Sequence, residues 1–101
     1  MTLPPLLSIH PSAAREARSA FRWYLKRSEK AAAGFLAALQ RAIQKVVDDP
    51  ESWMSYLHGT RAFRLRRYPY VLVYSFSPDL VEVWAVAATN KRPGYWRKRL
   101  N

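Results

Sequence analysis

Arg64-Leu65-Arg66-Arg67-Tyr68-Pro69-Tyr70-Val71-Leu72-Val73-Tyr74-Ser75-Phe76-Ser77-Pro78-Asp79-Leu80-Val81-Glu82-Val83-Trp84-Ala85-Val86-Ala87-Ala88 is the stretch on which the fold turns. Residues 61–67 alternate, with Phe63 and Leu65 on one side and Arg64 and Arg66 on the other, the pattern of a strand with one dry face. Residues 70–77 and 80–88 are apolar or aromatic on both faces, as strands covered on both sides are. Ser77-Pro78-Asp79 puts proline where a type I turn favours it. Two tight connections in succession predict an antiparallel meander.

Upstream, residues 6–10 form a short apolar run between Pro5 and Pro11, which predicts a first strand. Ser12 is the expected N-cap of a first helix, with Ala14, Ala17, Phe21, Tyr24 and Leu25 at helical spacing. The pattern breaks at Arg27-Ser28-Glu29, where Ser28 can cap a second helix over about 29–47. Ala32, Phe35, Leu36, Leu39, Ile43 and Val46 form its apolar stripe. Asp48-Asp49-Pro50 ends it, because the residue before proline leaves the helical region. Gly34, inside this helix, costs about 1 kcal/mol against alanine and is expected to allow a close approach. Residues 51–59 connect to the meander, and Pro93-Gly94 releases a tail. The order is β-α-α-β-β-β. It predicts an α+β fold, a helical hairpin packed on a small antiparallel sheet, in one domain over 1–101 with a core at 6–88 and a tail at 89–101.

Composition narrows the chemistry. The chain has 101 residues, 17 Lys+Arg against 7 Asp+Glu, a net charge of +10 and no cysteine. That length supports one core without staples. The absent cysteines exclude disulfides, a thiolate zinc site and a Cys nucleophile, and His10 and His58 alone make no histidine cluster. No metal or cofactor is expected. Residues 60–101 hold 9 of the basic residues and only Asp79 and Glu82 as acids, a field that favours a polyanionic partner. The first 14 residues are uncharged but carry three prolines and no basic leader, so no signal peptide is read there. No uncharged run approaches the roughly 20 residues needed to span a bilayer. A cytoplasmic protein without a membrane partner is expected.

No P-loop, nucleophile elbow, GxGxxG or HExxH occurs. Asp48 and Asp49 are adjacent and diverge, which suits a helix end better than an acid–base pair. Two features stand out. Arg61, Arg64, Arg66 and Arg67 could hold phosphates or carboxylates bidentately, or could be the solvated face of an edge strand. Lys91-Arg92-Pro93-Gly94-Tyr95-Trp96-Arg97-Lys98-Arg99 interleaves cations with aromatics. That pattern serves base stacking, a protein hot spot, or a tail whose Tyr95 and Trp96 fold back to seal the sheet. For Trp96 the sealing role is favoured.

The residues 64–74, then Val83-Trp84-Ala85-Val86-Ala87, then Arg92-Pro93-Gly94-Tyr95-Trp96 and Arg99 resemble the RelE/ParE superfamily of bacterial type II toxins. Ile9-His10-Pro11 with Ala14 and Glu16, and Trp23-Tyr24, are similar to its ParE-like branch. The resemblance spans about residues 6–100. It implies a toxin neutralised by a cognate antitoxin, whose acidic C-terminal segment wraps the toxin and folds on binding. That segment's helix would enter the apolar groove between hairpin and sheet. Operator DNA would be met mainly through the antitoxin.

The superfamily divides by target. RelE-like members cut mRNA on the ribosome, and ParE-like members are poisons of DNA gyrase. The nuclease branch commonly carries an arginine where this chain has Val71, and another where it has Asn90. Many ParE-like chains carry a histidine where Ala88 stands. A missing cation at a phosphate-cleaving site costs a few kcal/mol of transition-state stabilisation. The resemblance therefore favours a non-catalytic gyrase inhibitor. A ribosome-dependent endoribonuclease using Arg64, Arg66 and Tyr95 is the first alternative, and a basic nucleic-acid-binding domain the second. The residues expected to meet target or antitoxin are Arg61, Arg64, Arg66, Arg67, Lys91, Arg92, Tyr95, Trp96, Arg97 and Arg99.

Overall fold

The structure, a computed structural model, describes residues 3–101. Strand β1 (Leu6–Ile9) leads into α1 (Pro11–Leu25) and α2 (Glu29–Asp48). A two-residue strand, β2 (Met54–Ser55), precedes β3 (Arg61–Arg64), β4 (Tyr70–Ser77) and β5 (Leu80–Ala88). The five strands form one sheet in the order β1-β5-β4-β3-β2.

The meander and helical hairpin form as the periodicity predicts. The sheet, however, is mixed. β1 pairs with β5 in parallel, from Leu6 opposite Leu80 to Ile9 opposite Val83, while the other pairings are antiparallel. Apolar runs do not encode strand direction. Here it is set by α1, which starts at Pro11 and packs along β5, so that β1 enters beside the start of that strand. All four residues of β1 are exposed.

Two boundaries differ from expectation. His10, rather than Ser12, caps α1: its Nδ1 accepts the Ser12 N–H at 3.1 Å, and Pro11 takes the first helical position, where no N–H is needed. The Ser12 hydroxyl instead accepts from Arg15 at 2.8 Å. The strand expected over 61–67 stops at Arg64. The chain reverses through 66–69, with Arg67 left-handed at φ 71° and the Leu65 N–H donating to the Tyr70 carbonyl at 3.0 Å. Arg66 therefore lies in the turn and not in the strand that Arg64 ends. The other helix signals hold: the Ser28 hydroxyl accepts the Ala31 N–H at 3.1 Å, and α2 ends at Asp48 before Pro50.

The sheet has two dry faces. On one, Ala20 of α1 and Phe35, Leu39, Ala42 and Val46 of α2 pack on Leu72, Tyr74, Val81, Val83 and Val86. On the other, Val73, Ala85 and Ala87 lie under Trp96, with Tyr56, Val71, Tyr95 and Leu100 around them. A bulge separates the two patterns. Val73 pairs with Ala85 and Tyr74 with Val83, so Trp84 is an extra residue in β5. That residue shifts the alternation, placing Val83 and Val86 on the same face and sending Ala85 and Ala87 to the other.

Candidate functional site

Because β1 stops at Ile9, its backbone ladder reaches only to Val83, and the β5 edge beyond needs other partners. Two side chains supply them. From α1, the Glu16 carboxylate accepts the Val86 N–H at 3.1 Å; from the tail, Arg99 Nη1 donates to the Trp84 carbonyl at 3.0 Å. The two side chains also bind each other through both guanidinium nitrogens, at 2.9 and 3.0 Å. The Tyr95 hydroxyl donates to the second Glu16 oxygen at 2.5 Å. Glu16 thus receives four hydrogen bonds and ties α1, β5 and the tail at one point.

This arrangement shifts the titration of Tyr95 and Arg99. Burial, with the hydrogen bond to Glu16 second, pushes the Tyr95 phenol well above its ordinary range. The hydrogen bond to Glu16 raises Arg99 further. Both shifts favour the protonated phenol and guanidinium that the hydrogen bonds to Glu16 require.

Beside it runs a groove of about 860 Å³ between α1, the ends of β4 and β5, and the tail. Ala20, Trp23, Tyr24, Tyr70, Val86 and Ala88 make its apolar wall, while Arg15, Lys91 and Arg99 bring positive charge to it. Trp23 is half exposed, with the Arg27 guanidinium 3.6 Å above its ring. A smaller cleft of about 120 Å³ lies between the tail and the other sheet face, lined by Tyr56, Val71, Lys91, Arg92 and Trp96 among others.

The structure distributes the expected site residues among several roles. Lys91 and Tyr95 line both concavities, Arg99 the groove and Arg92 the cleft. Arg61 is engaged in the fold, donating to the carbonyls of Glu51 and Trp53 at 3.0 and 2.7 Å and so fastening the connector. Trp96 is 1 % exposed and seals the sheet, which removes it as a contact for a partner in this conformation. Arg64, Arg66, Arg67 and Arg97 are exposed and line neither concavity. The nuclease candidates Arg64, Arg66 and Tyr95 do not share a concavity.

Glu16 and Trp23 belong to the site but were noticed in the sequence only through the family resemblance. The local signal for Glu16 is an acid between the small residues Ala13, Ala17 and Ala20, where close helix–strand packing leaves a carboxylate within reach of β5. Tyr24, Tyr68 and Tyr70 build the groove's end by packing with Phe35, their ring centroids 5.1 to 6.5 Å apart. The Tyr68 hydroxyl donates to the Ala31 carbonyl at 2.8 Å, over Gly34, which has no side chain to obstruct it.

Comparison with known proteins agrees with this architecture. The sequence profile described as the ParE toxin of type II toxin-antitoxin system, parDE, matches residues 7–93. Among solved structures, a chain of the chromosomal ParDE TA system from P. aeruginosa superposes with a TM-score of 0.74. It is 11% identical, and the match covers 85% of this chain and 97% of that one, a likeness of fold. No curated protein matches the sequence.

Proposed function

This chain belongs to the ParE toxin family of type II toxin–antitoxin systems, and we propose that it acts by binding and inhibiting DNA gyrase rather than by turnover. A cognate antitoxin is the partner that membership implies.

The observation that supports a binding mode is the closed Glu16–Tyr95–Arg99 triad. A general base must be free to accept a proton near neutral pH, and Tyr95, kept protonated by burial and by its hydrogen bond to the Glu16 carboxylate, is not. Arg99, the cation nearest to it, is already committed to Glu16 and to the Trp84 carbonyl. Arg64 and Arg66, the other members of the nuclease set, end β3 and open the turn after it, and neither lines a concavity with Tyr95. Glu16, Tyr95 and Arg99 serve architecture, which leaves the toxin its surface to act with.

The groove is our candidate site for the antitoxin's acidic C-terminal segment. Its apolar wall would bury hydrophobic anchors, and Arg15 and Lys91 would meet carboxylates. Contact with operator DNA through the antitoxin fits the same scheme.

The test is direct. Purified toxin added to gyrase and relaxed plasmid should suppress supercoiling or trap cleaved DNA, and prior addition of the antitoxin should restore activity. Full supercoiling at a large molar excess of toxin would refute the gyrase target. New mRNA ends in a translating extract would refute the non-catalytic mode.

A further inference from the structure

The fold gathers charge that the linear sequence spreads. Tyr24 of α1 lies 5.1 Å from Tyr68, centroid to centroid, and Tyr68 donates to the Ala31 carbonyl, so the turn between the helices abuts the turn between β3 and β4. The Thr89 N–H donates to the Pro69 carbonyl at 2.9 Å, which brings the exit of β5 to the same place. One end of the molecule therefore carries Arg22, Lys26, Arg27 and Lys30 from the hairpin. To these the sheet adds Arg64, Arg66, Arg67, Lys91 and Arg92. All nine are exposed, and Glu29 is the one acid among them.

The remaining acids lie elsewhere. Asp48, Asp49 and Glu51 are at the far end of α2, Asp79 and Glu82 at the β4–β5 turn and just after it, and Glu16 is held by Arg99. The 20 residues of α2 separate Lys30 from Asp48 by about 27 Å, several times the ~8 Å screening length at physiological salt. The acidic end cannot neutralise the basic one. Among the described residues the sole side-chain ion pair is Arg99–Glu16, so none of these nine cations has a carboxylate partner.

We infer that this basic end is a second binding surface, adjoining the groove at Lys91, and that it takes the phosphate backbone of duplex DNA directly. Fixed cations at element ends recognise phosphates without reading bases. A single-stranded ligand would also need open aromatic faces for its bases. Here Tyr24, Tyr68 and Tyr70 are packed against one another and Phe35, and Arg27 covers one face of Trp23. The surface offers charge with little stacking, which favours a duplex. The inference does not depend on gyrase as target, since the free toxin and DNA alone suffice to test it.

Anisotropy of a labelled 20-base-pair duplex of arbitrary sequence, titrated with the full-length toxin, is the experiment. Affinity should fall with salt at about 0.9 log unit per log unit for each phosphate neutralised. The variant Arg66→Gln/Arg67→Gln/Lys91→Gln/Arg92→Gln should bind at least ~10-fold more weakly and lose about three to four units of that slope. Its circular dichroism spectrum and melting temperature establish that it is folded. The matched variant Arg18→Gln/Arg41→Gln/Lys45→Gln/Lys98→Gln removes the same charge elsewhere and should keep most of the affinity. Equal losses in both variants would show a diffuse net-charge effect and overturn the localised surface. Tighter binding to single-stranded DNA or RNA of the same length would overturn the duplex assignment, as would no binding at low salt.

Discussion

The two faces of the sheet each hold a buried cluster, and the clusters are closed by different means. Under the helices, twelve buried residues from both layers interdigitate, and the cover is a 35-residue pair of regular helices. On the opposite face the cover is one buried indole, Trp96, on a short tail fastened to the rest of the molecule through Glu16. The first cover is made by periodic burial along two elements. The second is a single plug with a polar latch, and it should be the part that opens at lowest free energy.

Substitutions on the two sides should expose that difference. The largest loss is expected from Phe35→Ala, which empties the centre of the helix-side cluster: about 3–5 kcal/mol, with helix and tail probes lost in one transition during urea unfolding. Trp96→Ala should cost about 3 kcal/mol, but hydrogen exchange should rise first at residues 95–100 and along 84–88 while α2 stays protected. Simultaneous loss of protection in α2 would make the two faces one cooperative unit.

Glu16→Ala should follow at about 2 kcal/mol, read as a shifted denaturation midpoint. It leaves the Val86 N–H and the Arg99 guanidinium without their acceptor in a site that is only about one-fifth exposed. Glu16→Gln should recover part of the loss, because the amide still accepts from Val86 but carries no charge for Arg99. Gly34→Ala is a smaller and more diagnostic change. Helix propensity favours alanine by about 1 kcal/mol, yet the new methyl would collide with the Tyr68 hydroxyl. A net destabilisation of about 1 kcal/mol is expected, changing sign when Tyr68→Phe removes that hydroxyl.

The smallest effect appears only in alkali. Burial raises Tyr74 on the helix face to about 12, and burial with the Glu16 hydrogen bond raises Tyr95 on the tail face. Both pKa values are raised in the folded state, so their contribution is complete below pH 10 and declines as pH climbs past it toward the folded values. Stability should be insensitive to these groups from pH 7 to 9 and fall above 10. Tyr95→Phe should flatten part of that fall. An unchanged alkaline profile in Tyr95→Phe and Tyr74→Phe alike would contradict the assignment.

The helix face was legible in advance because burial repeats. Phe35, Leu39 and Val46 recur at helical spacing, and alternation with turn chemistry marked three of the strands. Even there the phase was off at places: Leu36 is 41 % exposed while Ala42 is buried, since a small residue facing a sheet packs closer than a large one. The tail face was legible only in part: apolar residues on both faces of 70–77 and 80–88 called for a second cover, and the sealing role favoured for Trp96 is the one it has. Nothing periodic links Trp96 to Val73, and the bulge at Trp84 that turns Ala85 and Ala87 toward it depends on how β4 and β5 align. The candidate site was half visible. Lys91, Arg92, Tyr95 and Arg99 stood out by composition, whereas Arg61 and Trp96 proved to serve the fold and Arg66 was carried off by the turn.

By itself, the sequence determined the helices, the meander, the net charge of +10 and, through motif order, the family. Those properties reside in neighbouring residues, where spacing and turn chemistry act locally. Only the tertiary structure decided that β1 runs parallel to β5, that Glu16 meets Tyr95 and Arg99 across about 80 positions, and that nine cations from four segments share one end. These depend on which surfaces pack together, and the pairing of distant surfaces has no period in the chain.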